Sequence, residues 1–147
     1  MQGTVLALAL RPIKSQAVAL QSSIEMAPEA GIIGDHCSSR RRQVSLLDVA
    51  AWGAACTELG VDLEWTTRRS NILVSGLNLQ TLVSSRIQLG GAIVEIIGEV
   101  VPCHVMDAAK NGLKSALKPE WRGGVYGRVV GPGKVEVGDL ITIYSSQ

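Results

Sequence analysis

A chain of 147 residues with 14 Lys and Arg against 13 Asp and Glu carries a net charge of only +1. That excludes a broad electrostatic surface for nucleic acid or anionic membrane and leaves anion recognition to local clusters. The length suits a single domain, residues 1–147, that buries about two-thirds of its unfolded surface; with 46% apolar residues and no Phe, its core must be Val, Ile and Leu helped by three Trp.

In chain order, residues 4–10 read as a strand. They lack a basic leader region and stop at Arg11-Pro12, so they do not read as a signal peptide. A second extended run covers residues 18–26. Residues 46–59 are predicted as the main helix, because Ser45 and Asp48 have capping-box spacing and Gly60 is placed for a C-cap. Short strands follow at 71–74, 87–89, 92–100, 125–130, 134–137 and 140–144. Residues 129–135 read as a hairpin turning at Gly131-Pro132-Gly133, and Val137-Gly138-Asp139-Leu140 as a second tight corner. Many strands with few helices predict a mainly β (α+β) fold, a closed or partly open barrel. No apolar run approaches membrane-spanning length. Three scattered cysteines make no disulfide scaffold and leave at least one thiol unpaired, which points to a reducing cytoplasm.

The segment Val101-Pro102-Cys103-His104-Val105-Met106 is chemically the most informative. Pro102 fixes its own φ and biases Val101 toward extended geometry, so the strand should end there. If Asp107-Ala108-Ala109-Lys110 is helical, Cys103 lies near that helix's N-terminus, where a thiolate is favoured as a nucleophile and soft-metal ligand. Against this stands the tendency of free cysteine to be a small buried hydrophobe, which is the reading given to Cys56 among its alanines.

The ordered motifs Gly34-Asp35-His36, Arg42-Gln43-Val44-Ser45-Leu46-Leu47, Arg69-Ser70-Asn71-Ile72, Leu89-Gly90-Gly91-Ala92, Pro102-Cys103, Arg122-Gly123-Gly124-Val125-Tyr126-Gly127-Arg128 and Val137-Gly138-Asp139 cover almost the whole chain. Together they resemble the MOSC domain, the module named for the C-terminus of molybdenum-cofactor sulfurases. The resemblance implies a barrel-like fold with a pocket around one cysteine, which carries sulfur as a persulfide or ligates molybdenum; Cys103 takes that position. Arg69, Arg122 and Arg128 would then stabilise a thiolate or hold the phosphate of a pterin cofactor, and Gly123 and Gly124 would bring backbone amides to an anion. Asp35, Asn71, His36 and His104 are the remaining binding candidates. Each has a structural alternative: Asp35 as a turn residue, Asn71 bonding its own backbone, the histidines as packed polar groups.

The same resemblance implies partners. Pyridoxal phosphate would reside on a separate cysteine desulfurase that loads Cys103, since Lys14, Lys110, Lys114, Lys118 and Lys134 show no cofactor signature. A molybdoenzyme is the other expected partner. Longer relatives reduce N-hydroxylated bases with redox partner domains, and with no flavin or iron–sulfur motif here, electrons would come from a redox partner. Cys37 departs from the family pattern and is read as a possible resolving thiol for Cys103. Two rivals from other classes are a docking module without chemistry and a zinc site from His36, Cys37, Cys103 and His104. The zinc site is disfavoured because adjacent residues on a strand point to opposite faces.

Overall fold

Alternating burial along β1 (Gln2–Leu10), with Val5 and Leu8 fully buried, sets one face of the longest strand against the core. In the computed structural model, which describes residues 2–11, 17–36 and 42–145, β1 is followed by β2 (Ala19–Gln21), β3 (Ser23–Ala27), β4 (Gly31–Ile32) and β5 (Val44–Asp48). Then come α1 (Val49–Leu59), β6 (Ile72–Ser75), β7 (Arg86–Leu89), β8 (Ala92–Glu99), α2 (His104–Ala109) and α3 (Leu113–Leu117). The chain closes with β9 (Val125–Gly131), β10 (Gly133–Glu136) and β11 (Leu140–Ile143).

Seven strands form a closed barrel in the order β1-β11-β7-β8-β9-β5-β6, with β6 returning to β1. β1 closes it by pairing with β11 through Gln2–Thr4 and with β6 through its middle, where the register shifts between Val5 and Ala7. β5 and β6 run parallel and the other barrel pairs antiparallel. The interior is aliphatic, as expected without Phe: Leu8, Leu46, Ile72, Ile87, Leu89 and Ile96 are all 0% exposed. Burying each such side chain contributes about 1.5–3 kcal/mol. Outside the barrel, Leu47 and Leu73 meet Trp52, Cys56, Met106 and Leu117 of the helical layer, so Cys56 packs as read from sequence.

Three expectations are corrected. The helix begins at Val49 and not at residue 46, because Leu46 and Leu47 are both buried on opposite sides of a strand, one in the barrel and one under the helices. Asp48 is the N-cap, its Oδ2 accepting from Ala51 N at 2.9 Å, and Gly60 (φ 64°) ends the helix as predicted. The run 18–26 is two strands, since Leu20 pairs with Ala9, adding β2 to the end of β1 outside the closed ring, while Ile24 pairs with Val135 in a separate sheet, β10-β3-β4. Residues 129–135 are not a hairpin: β10 turns away from β9 and pairs with β3, Val135 opposite Ile24. The corner at 137–140 is present, with Glu136 N donating to Asp139 Oδ2 at 2.7 Å.

Candidate functional site

One end of the barrel opens into a cavity of about 380 Å³ whose walls carry Arg11, Arg42, Arg68, Arg69 and His36. Arg11 follows β1. Arg68 and Arg69 leave the 3-10 turn Trp65–Arg68, with Arg69 at φ 60° turning the chain toward β6. Ser45 of β5, Tyr126 of β9, Ser70, Val100 and Gly123 complete the wall. Arg42 places its guanidinium 4.6 Å from the Tyr126 ring centre, a cation–π contact that fixes both.

The frame beneath the cavity is polar and fully bonded. The Asp35 side chain is 0% exposed and pairs with Arg11 Nη2 at 2.8 Å. Its Oδ1 also accepts from Arg11 N at 2.6 Å and from Asn71 Nδ2 at 3.0 Å. Asn71, likewise 0% exposed, accepts from Ser45 N at 3.0 Å and donates to Ala9 O at 3.2 Å. Asp35 and Asn71 therefore hold Arg11 and Ser45 in place and do not themselves line the cavity. Asn71 ties three strands together where its own backbone was the expected partner.

Arg68 is the most constrained cation. It is 9% exposed. Its Nε donates to Gly123 O at 3.0 Å and its Nη2 to Val100 O at 2.7 Å. Burial pushes its pKa below the ordinary guanidinium value, partly offset by Cys103 and Glu99 nearby. Gly123 makes the seat: a Cβ there would lie 3.0 Å from both Arg68 Nη2 and Val100 O. The sequence reading chose Arg69 from the pair 68–69 and missed Arg68, as it missed Arg11, Arg42 and Tyr126. The available signal was only that two arginines follow a Thr-Thr pair just before a strand.

Cys103 is exposed and is the N-cap of α2, with extended φ −125° and ψ 178°, directly after the buried Pro102 and beyond the end of β8 at Glu99. It stands beside the cavity and not in its wall. Its link to the cavity is through the chain: Val100, just upstream, lines the wall and accepts from Arg68 Nη2 at 2.7 Å. His104 is exposed on α2, whereas His36 lines the cavity, its backbone N–H donating to Arg11 O at 2.7 Å. Gly124 lies behind Gly123 at φ 94°, against the β5 backbone.

Two arginines expected beside the thiol are placed elsewhere. Arg122 bonds Ala116 O at 3.0 Å and Glu58 Oε1 at 2.9 Å, bracing α3 against α1. Arg128 points to the barrel exterior, where its Nε meets Glu95 Oε1 at 3.0 Å. That hydrogen bond, with Arg86 also near, holds the Glu95 carboxyl below the usual carboxylate range. Even–odd alternation on β9 explains the placement: Val125, Gly127 and Val129 face inward and Arg128 outward. Arg128→Ala is expected to change stability by less than about 1 kcal/mol, since exposed pairs are weak. It should leave anion binding in the cavity unchanged, as read by thermal melting with and without phosphate.

Cys37 and Lys14 lie outside the described residues. Of the zinc set, His36, Cys103 and His104 do not gather: no group of three or more His, Cys, Asp or Glu among the described residues is arranged to hold a metal ion.

Residues 33–142 match a family model described as the MOSC domain. The fold is similar to that of the YuaD protein from Bacillus subtilis, with a TM-score of 0.82 and 24% identity over 100% of this chain and 98% of that one. It is also similar to YiiM from Geobacillus stearothermophilus (TM-score 0.78, 13% identity, 97% of this chain and 75% of that one). YiiM from Escherichia coli gives a TM-score of 0.72 at 15% identity over 100% and 71% of the two chains. No curated protein matches in sequence. At these identities the structural likeness speaks for the fold alone.

Proposed function

The chain belongs to the MOSC domain family, which is often associated with molybdenum cofactor, and we propose that its arginine-lined cavity takes the phosphate end of that cofactor while Cys103 beside it handles sulfur. The observation that carries this reading is the gathering of four arginines and His36 around one cavity, with Arg68 joined to the strand end that leads to Cys103. The residues fit the group on chemical grounds. Guanidinium forks match phosphate oxygens, and a cavity of about 380 Å³ is of small-molecule size. When bound, the cofactor would supply the redox-active metal.

The chain's own part is to bind, orient and carry. Arg42 and Arg69 would meet the phosphate from the wall, and Arg68, already fixed by two carbonyls, would meet it without further ordering. Cys103 as thiolate would attack the outer sulfur of a donor persulfide, R–S–SH. The new bond gives Cys103–S–SH and releases R–S⁻. The donor is a cysteine desulfurase, which holds the pyridoxal phosphate; the acceptor is the cofactor or a molybdoenzyme. Alternatively the same thiolate is a metal ligand, and the two roles exclude each other at any moment. Val101 and Val105, 64% and 50% exposed on either side of Cys103, suit contact with a protein donor. An exposed thiol of this kind fits a reducing compartment, and no described helix is long and apolar enough to cross a membrane.

The test is the molybdenum and pterin content of protein purified from a host that makes the cofactor, comparing the native chain with Cys103→Ser. Stability should stay within about 0.5 kcal/mol, because the thiol is exposed. Cofactor present in the native protein and lost in the variant supports ligation. Absence from both, with sulfur accepted at Cys103, supports the carrier. Cofactor retained in full by Cys103→Ser, with no sulfur accepted by the native chain, would overturn the role given to the thiol.

A further inference from the structure

We propose that Arg68 works as a latch: an anion seated in the cavity holds closed the clip that Arg68 makes between Val100 and Gly123, and so orders the chain segment that leads out of β8 to α2. The inference rests on the reading of the cavity as an anion site and adds how its occupancy is felt outside the wall.

β8 leaves the sheet at Glu99, the last residue paired with β9, opposite Val125. Beyond it the chain is tied at Val100, whose N donates to Gly124 O at 2.9 Å and whose O accepts from Arg68 Nη2 at 2.7 Å. Val101 is 64% exposed, and among the described residues neither it nor Pro102 makes a backbone hydrogen bond. These two bonds and the buried ring of Pro102 therefore place the segment that ends at Cys103, the N-cap of α2. Both bonds lead to one turn. Arg68 Nε donates to Gly123 O at 3.0 Å, and Gly124 N donates to Trp121 O at 3.0 Å. One guanidinium thus joins the chain beyond β8 to the turn before β9, where strand pairing has stopped.

The closed clip carries a desolvated charge. Arg68 is nine-tenths buried, burial lowers its pKa, and Glu99, which offsets part of this, forms no salt bridge with it among the described residues. The two carbonyl oxygens satisfy hydrogens but cancel no charge. The competing arrangement turns the guanidinium out to water and releases Val100 O and Gly123 O. Nη1 decides between them. It bonds no described group, yet no buried side-chain nitrogen among the described residues lacks a partner, so Nη1 is open to the cavity that Arg68 lines. An anion there bonds Nη1 and compensates the charge while Nε and Nη2 keep their carbonyls, because the guanidinium is a rigid planar fork. Such an anion binds the closed clip better than the open one, and by linkage it shifts the clip toward closure by the same factor. A phosphate-bearing ligand would order the segment from Val100 to Cys103 as it arrives.

The test is amide hydrogen exchange, followed by NMR on the native chain as inorganic phosphate is added at constant ionic strength. Protection at Val100 and Gly124 should rise about 5- to 100-fold, the usual range of coupling between two sites, with the same midpoint as the phosphate-induced rise in melting temperature. Tyr144, whose N donates to Arg86 O at 2.8 Å, should be unchanged, since neither of these residues lines the cavity. Arg68→Lys keeps a cation without the fork. At phosphate concentrations that saturate its own melting shift, protection at Val100 and Gly124 should not respond. If that variant does not fold, the native protein decides through the match of midpoints and the contrast with Tyr144. A melting shift with no change in protection at Val100 and Gly124 would overturn the latch and leave the anion reading standing. An equal rise at all three amides would reduce the effect to stabilisation of the whole fold and overturn the latch, as would a full response in Arg68→Lys. Neither a melting shift nor a change in protection would overturn both.

Discussion

Asp35→Ala is expected to lower the stability of the protein by about 3 to 4 kcal/mol, measured by urea unfolding with the dependence on denaturant unchanged. The carboxylate is 0% exposed and Arg11 only 17%, so the pair is largely desolvated. Removing the acid leaves a partly buried guanidinium without its counter-charge, and the loss extends beyond the pair. Arg11 N gives up its 2.6 Å bond, and Asn71 Nδ2 keeps only Ala9 O. Each unmet buried donor costs about 1–3 kcal/mol, softened here because Arg11 retains some access to water. Asp35→Asn separates charge from shape: it keeps the volume but turns one oxygen into a donor facing the Arg11 donors, so it should recover little. A loss under about 1 kcal/mol for Asp35→Ala would mean that the cavity floor rearranges and that Arg11 is not held by this acid.

How far the molecule could be read from its residues follows from which forces are local. Strand positions were legible because short extended runs are set apart by Gly, Pro, Ser and Asp, although β8 already ends at Glu99, short of Pro102. Gly60 closed α1 for a similarly local reason. What failed depended on partners distant in sequence. Ser45 looks like the start of a helix, but its neighbours Leu46 and Leu47 are buried on both sides, and its backbone pairs with Tyr126 and Asn71. The Gly131-Pro132-Gly133 turn looks like a hairpin, but the strand after it pairs with β3, a partner far upstream that no local signal names. Pro102 and the motif order single out Cys103, which the structure leaves exposed and outside the cavity wall. The arginines were not legible, since sequence alone does not say which guanidinium of Arg68-Arg69 is buried or that Arg122 reaches Glu58. Cation placement is a property of the closed barrel.

The other large effect is expected at Gly124→Ala, about 3 to 5 kcal/mol of destabilisation by the same measurement. Gly124 has φ 94°, where a side chain is strained by about 1–3 kcal/mol in any surroundings. Here the surroundings add a collision, because the new Cβ would run into the carbonyl oxygen of Leu46. That oxygen belongs to β5, whose backbone is fixed between β6 and β9, so it cannot swing aside as a flexible side chain would. Relief must come from moving Gly124 itself. It accepts from Val100 N at 2.9 Å, and its neighbour Gly123 accepts from Arg68. The displacement therefore reaches both carbonyls that hold Arg68, and a folded Gly124→Ala protein should bind phosphate more weakly than the native chain in a melting-shift assay. Gly53→Ala gives the contrasting sign: it lies inside α1 with open space around its Cβ position, and should gain about 0.5–1 kcal/mol from helix propensity. Should Gly124→Ala cost less than about 1 kcal/mol, or leave phosphate binding intact, the contact between β5 and the Gly123 turn would not be what positions Arg68.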